Sequence, residues 1–125
     1  MSKTILVIDD EPDLLMMIES RLKLSGYEVI TASDGIEGIN TIRSKKPDLV
    51  LLDLALPGID GYEVCTRSKS DLATRHIPII LFTARLVKAI EDIAKELNAD
   101  DFIAKPFEYQ ELLKKIETIL EKKRI

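Results

Sequence analysis

The stretch DLVLLDLALPGIDG, residues 48–61, decides how the rest of the chain is read. Its four consecutive apolar residues, Leu49 to Leu52, suit a strand buried on both faces, as in a parallel sheet covered by helices. The carboxylate of Asp53 follows at once, and Pro57-Gly58 marks a turn just beyond. A charge at the end of a buried strand is expensive unless something stabilises it. What stabilises Asp53 is therefore the question on which function turns.

Working outward, four similar β-rich runs recur: TILVID (4–9), YEVITA (27–32), IPIILFT (77–83) and DFIA (101–104). The segments between them have helical spacing. In PDLLMMIESRLKLSG the apolar positions Leu14, Ile18 and Leu22 fall one turn apart, Pro12 suits a first helical turn and Gly26 a C-terminal stop. GIEGINTIRSKKP, GYEVCTRSKS, LVKAIEDIAKELN and YQELLKKIETILEKK read the same way, with Asp34, Asp60 and Glu108 near three of the starts and Asn98 as a left-handed cap. Five strand–helix alternations with right-handed crossovers put helices on both faces of a parallel sheet, an open α/β sandwich.

Composition bounds the function. At 125 residues the chain fits one domain, spanning 1–125, with a core that needs neither disulfide nor structural metal. Its single cysteine, Cys65, has no internal partner and sits in a helical pattern beside Val64, so it is expected to be a buried thiol without a role. A net charge of -4 and a pI near 5.1 argue against direct nucleic-acid binding, because phosphate backbones require clustered cations; the basic EKKR near the end is too short to change that. No stretch is long and apolar enough for a membrane span, and carboxylates interrupt the first apolar run before it could serve as a signal peptide. A cytoplasmic location is expected.

In an open parallel sheet, ligands bind in the crevice at the carboxyl ends of the strands. The first strand ends in Asp9 and Asp10, the third in Asp53, the fourth in Thr83, and the fifth is followed by Lys105 and Pro106. Singly, each has an ordinary reading: Asp9 and Asp10 as caps of the first helix, Thr83 as a strand residue, Lys105 as a solvated lysine. Together they demand more, since two like charges about 4 Å apart repel by about 4 kcal/mol at an effective dielectric near 20. Hard oxygen ligands around a crevice open to water suit Mg²⁺, and no His or Cys cluster suggests zinc. A central carboxylate accepting a phosphoryl group would need that metal, a cation on the phosphoryl oxygens and a further donor, and the residue types present supply them.

The chain resembles the receiver domain of two-component response regulators over nearly its whole length, through ILVIDDEPD, GYEVITASDGIEGI, PDLVLLDLALPGIDGYEVC, HIPIILFTA and ADDFIAKPF in that order. The resemblance implies a flavodoxin-like (βα)5 open sandwich with strand order 2-1-3-4-5. It implies that Asp53 is a phosphoacceptor, charged by the phosphohistidine of a sensor histidine kinase or a histidine phosphotransfer protein. Asp10, Asp53 and the backbone carbonyl of Ala55 would bind Mg²⁺, with Asp9 assisting through water. Lys105 would contact the phosphoryl group, and its bond to Pro106 would be cis. Thr83 and Phe102 would act as the switch, biasing the surface formed by the fourth helix, fifth strand and fifth helix, roughly residues 86–122, with phosphorylation-dependent homodimerisation through that face. Met16, which points nearly away from the core on the first helix, and Leu15 on its flank would meet the histidine-containing partner. The implied role is signalling rather than enzymatic turnover.

Some positions depart from the pattern. Ala55, two residues past the acceptor, and Arg85, two past Thr83, offer no carboxylate or amide to orient an attacking water, so slow self-dephosphorylation is expected. Ser68 is spaced to face inward, where it would lower stability or bond back to its helix. His76 lies in a turn-like segment, with no motif around it to suggest a triad or metal role. Rival readings are weaker. A phosphatase of the haloacid-dehalogenase type needs an acid where Ala55 stands, and a flavodoxin-like electron carrier needs a phosphate-binding loop where the first strand is followed by acids. A degenerate receiver binding partners without phosphorylation is the remaining alternative. No segment after residue 122 reads as DNA-binding or catalytic, which leaves open a stand-alone receiver or one part of a longer regulator.

Overall fold

The structure, a computed structural model, describes residues 2–84 and 87–122. Five strands alternate with five helices: β1 (Thr4–Ile8), α1 (Pro12–Leu24), β2 (Glu28–Ala32), α2 (Gly35–Lys45), β3 (Leu49–Leu52), α3 (Gly61–Ser70), β4 (Ile79–Thr83), α4 (Val87–Leu97), β5 (Asp101–Ala104) and α5 (Tyr109–Lys122). All four pairings are parallel, and the strand order is β2-β1-β3-β4-β5. The flavodoxin-like (βα)5 expectation holds.

Continuous apolarity has the anticipated cause. Along β1, β3 and β4 alternate residues enter two separate cores, so every position but Thr4 at the start of β1 is buried. Leu6, Ile8, Val50, Leu52, Ile79 and Leu81 join residues of α2, α3 and α4 on one face, while Ile5, Val7, Leu49, Leu51, Ile80 and Phe82 join residues of α1 and α5 on the other. On α1, Ile18 and Leu22 are buried, Leu14 and Leu15 pack at the margin, and Met16 is 67% exposed.

Helix ends are local chemistry. Asp34 and Asp60 accept from the N–H groups of Glu37 and Glu63, at 2.8 and 3.1 Å, capping α2 and α3. Asn98 takes φ of 59° after α4, and Gly26 takes φ of 97° where α1 stops and its backbone N–H returns to the Lys23 carbonyl. At α1 the ordinary reading of Asp9 and Asp10 as caps fails: Glu11 is the N-cap residue, with no side-chain cap. Ser68 is buried as its spacing implied, yet it does not bond back. Its Oγ is the one buried side-chain polar atom without a partner among the described residues, a cost of about 1–3 kcal/mol. Cys65 is buried, and burial pushes its thiol up to about 11, leaving it protonated and unreactive near neutrality.

Candidate functional site

Register brings the strand ends to one edge. Ile8 pairs with Leu52, and Thr83 with Ala104, so Asp9, Asp10, Asp53, Thr83 and Lys105 emerge on the same rim. The Asp53 N–H donates to the Ile8 carbonyl at 3.0 Å, continuing the ladder one residue past β3. The Lys105 N–H donates to the Thr83 carbonyl at 2.8 Å, and the Lys105–Pro106 bond is cis as expected.

Asp53 is 3% exposed. Its Oδ1 accepts from the Ala55 N–H at 3.1 Å, and its Oδ2 from Lys105 Nζ at 3.2 Å. These contacts answer why a buried strand can end in a charge. Asp9 is fully buried, with Oδ1 taken by the Glu11 N–H at 2.8 Å and Oδ2 by Lys105 Nζ at 2.7 Å. Asp10 is exposed, and ligand oxygens of Asp9, Asp10 and Asp53 lie within 4.8 Å of one another.

The electrostatics are unbalanced. Burial raises the pKa of Asp9, more than the hydrogen bonds from Lys105 and Glu11 lower it, so its charge is held at a cost. Burial also opposes the Lys105 charge, but the bond to Asp9 and the fields of Asp53 and Asp9 outweigh that, and its pKa is raised. Three carboxylates, those of Asp9, Glu11 and Asp53, pair with this one ammonium, and Asp10 adds a further acid to the cluster, an excess of negative charge that suits a divalent cation. The donors are all hard oxygens, Asp10 opens the cluster to water, and no thiol or imidazole belongs to it; the residues fit Mg²⁺.

Thr83 is buried at the end of β4. Phe102 is half-buried against the core on the α2–α4 face, with Lys115 Nζ 5.8 Å from its ring centroid. Arg85 lies outside the described residues. Two neighbours of Lys105 escaped the sequence reading. Glu11 Oε1 accepts from its Nζ at 3.1 Å, and the Phe82 ring centroid lies 4.8 Å away. An additional acid in DDEP was the available signal for Glu11; an apolar residue in an apolar strand gave none for Phe82.

Comparisons with known proteins agree with this geometry. The chain is 39% identical over 125 residues to the alkaline phosphatase synthesis transcriptional regulatory protein PhoP of Bacillus subtilis, covering 100% of this chain and 51% of that protein. The chain thus spans about half the length of the curated relatives it matches. The receiver domain of a sensor histidine kinase from Pseudomonas aeruginosa, solved with a magnesium ion in its active-site cleft, superposes with a TM-score of 0.83 at 30% identity, covering 98% of this chain and 97% of that one. A CheY-like receiver domain protein from Methanospirillum hungatei gives 0.91 at 27% identity, covering 99% and 98%. The family model for the response regulator receiver domain matches residues 5–117. Receiver domains are signalling modules of two-component systems, which accept phosphoryl groups from histidine kinases. With this site at the carboxyl ends of a 2-1-3-4-5 sheet, the chain belongs to the response regulator receiver domain family.

Proposed function

We propose that the chain is a phosphorylation-activated signalling receiver in which Asp53 is the phosphoacceptor. The observation that carries this is the setting of Asp53: buried, one oxygen fixed by the Ala55 N–H, the other by Lys105, amid further acids. A carboxylate held this firmly is poised for in-line attack, and positioning supplies most of the catalysis of phosphoryl transfer. An Asp53 oxygen attacks the phosphorus of a phosphohistidine on a sensor kinase or phosphotransfer protein, the N–P bond breaks, and the imidazole leaves. Asp10, Asp53 and the Ala55 carbonyl would hold Mg²⁺, with Asp9 assisting through water, the ligand set that the family resemblance implies and with which the acid cluster is consistent. When bound, the ion would supply charge neutralisation for the transferring phosphoryl group. Lys105 and Thr83 take further phosphoryl oxygens.

The output follows from Thr83 and Phe102. Movement of the Thr83 hydroxyl toward the phosphoryl group leaves room for the Phe102 ring, shifting the α4–β5–α5 surface between two arrangements and favouring a homodimer through it. The protein acts in the cytoplasm through protein contacts, not as a turnover enzyme, and this domain itself does not contact nucleic acid. Met16 and Leu15 on α1 meet the histidine-bearing partner.

Intact mass after incubation with acetyl phosphate, with and without Mg²⁺, tests the reading on wild type and Asp53→Asn. A Mg²⁺-dependent gain of one phosphoryl group in the wild type alone is expected, long-lived once the donor is removed, with the phosphorylated sample sedimenting as a dimer. A folded protein that gains no mass and ignores beryllofluoride would instead be a phosphate-independent binding module.

A further inference from the structure

The Lys105 ammonium has a partner that carries no charge. The Phe82 ring centroid is 4.8 Å from Nζ, within the range where an ammonium is drawn to the negative face of an aromatic ring. Phe82 is 1% exposed in the core shared with α1 and α5, and Phe107 meets it edge-on, centroids 6.3 Å apart and planes at 77°. A ring packed on all sides and braced by a second ring stays where it is.

The other three partners are of a different kind. Asp9 and Asp53 belong to the group proposed to hold Mg²⁺ and the phosphoryl group, so their bonds to Lys105 must loosen or rearrange as Asp53 reacts. The Glu11 side chain is 62% exposed, where water screens its pairing. The ring neither ligates a cation nor receives a phosphoryl group, and its attraction for the ammonium persists while the carboxylates change partners. It also holds a cation without adding negative charge to a site that must receive an anionic phosphoryl group.

We propose that Phe82 is a positioning residue for phosphoryl transfer, whose ring face seats the Lys105 ammonium beside Asp53 throughout the reaction. This rests on the reading that Lys105 contacts the phosphoryl group. Leucine at this position keeps the apolar packing but has no ring face, whereas tyrosine keeps the face.

The test is the rate at which acetyl phosphate phosphorylates Asp53 in saturating Mg²⁺, followed by intact mass in wild type, Phe82→Leu and Phe82→Tyr, alongside NMR shifts of the Lys105 ε-methylene. Phe82→Leu is expected to slow the reaction about threefold to tenfold, with Phe82→Tyr restoring it. An upfield ring-current shift of the Lys105 methylene should be present in wild type and Phe82→Tyr and lost in Phe82→Leu. If Phe82→Leu does not fold, Phe82→Met, a more adaptable filler, carries the same expectation. A leucine or methionine variant as fast as wild type, or a folded tyrosine variant as slow as the leucine one, overturns the inference alone. A wild-type protein that accepts no phosphoryl group overturns the reading of Asp53 as well.

Discussion

Asp9 shows how a single side chain can be in a state that the fold disfavours. It is fully buried, it shares its surroundings with Asp10 and Asp53, and its pKa is raised above the ordinary 3.8 because burial outweighs its bond to Lys105. A raised folded pKa means that the ionised form is less favourable in the folded chain than in the unfolded one. The stability contributed by this group is therefore full below pH 3.8 and lost as pH rises through the raised value. Asp9→Asn in chelator is accordingly expected to raise the melting temperature at pH 7 by a few degrees, on the order of 1 kcal/mol, with the gain shrinking as pH falls toward 4. A lower melting temperature at pH 7 would mean that the Lys105 bond outweighs burial. Lys105 brings no such dependence near neutrality, since its raised pKa keeps its contribution intact up to at least its ordinary 10.5. At this scale the acids were legible because a charge inside an apolar run stands out. Glu11 and Phe82 were not, because contact with Lys105 joins residues far apart in the chain and depends on the completed sheet.

Among the elements, the junction of β3 and α3 is tightly constrained. Asp53 and Leu54 leave the strand, the chain turns through Pro57 and Gly58, with φ of 71° at the glycine, and α3 begins at Gly61 under the cap of Asp60. The Gly61 N–H donates to the Leu54 carbonyl at 3.0 Å, bringing the helix start against the backbone of Asp53 and Leu54. A Cβ on Gly61 would overlap the Asp53 carbonyl oxygen and the Leu54 Cα, both backbone atoms that cannot swing aside. Gly61→Ala is therefore expected to destabilise the protein by about 2 kcal/mol or more in urea unfolding and to slow phosphorylation in the surviving folded fraction. Stability and rate both equal to wild type would mean that this junction is slack. The element boundaries were largely readable because they rest on local chemistry: unbroken apolar runs for strands, Asp34 and Asp60 for helix starts, Gly26 and Asn98 for stops. The absence of any side-chain cap on α1 was not, because Asp9 turns its oxygens to Glu11 and Lys105.

For the whole molecule, residue patterns alone gave a parallel sheet with helices on both faces but not the order of its strands, since pairing joins segments as distant as β1 and β3 and is not a property of either run. The order came with the family resemblance and is realised as β2-β1-β3-β4-β5. It gathers three carboxylates from two adjacent strands at one rim, and their mutual repulsion then bears on the stability of the entire fold, which rests on the two cores sharing that sheet. A cation bound only by the folded form relieves this repulsion and stabilises by mass action, by about 2.7 kcal/mol at a hundred times its dissociation constant. For a domain of this size that is roughly 10 °C in melting temperature. Mg²⁺ is thus expected to raise the thermal midpoint progressively with concentration, chelator to reverse the rise, and Asp10→Asn, which removes the exposed member of the cluster, to abolish most of the response while leaving the chelated protein at least as stable as wild type. The last comparison separates two origins of the acid cluster's effect. If Asp10→Asn lowered the melting temperature in chelator, its carboxylate would be supporting the fold, and charge repulsion at this rim would not be what Mg²⁺ relieves.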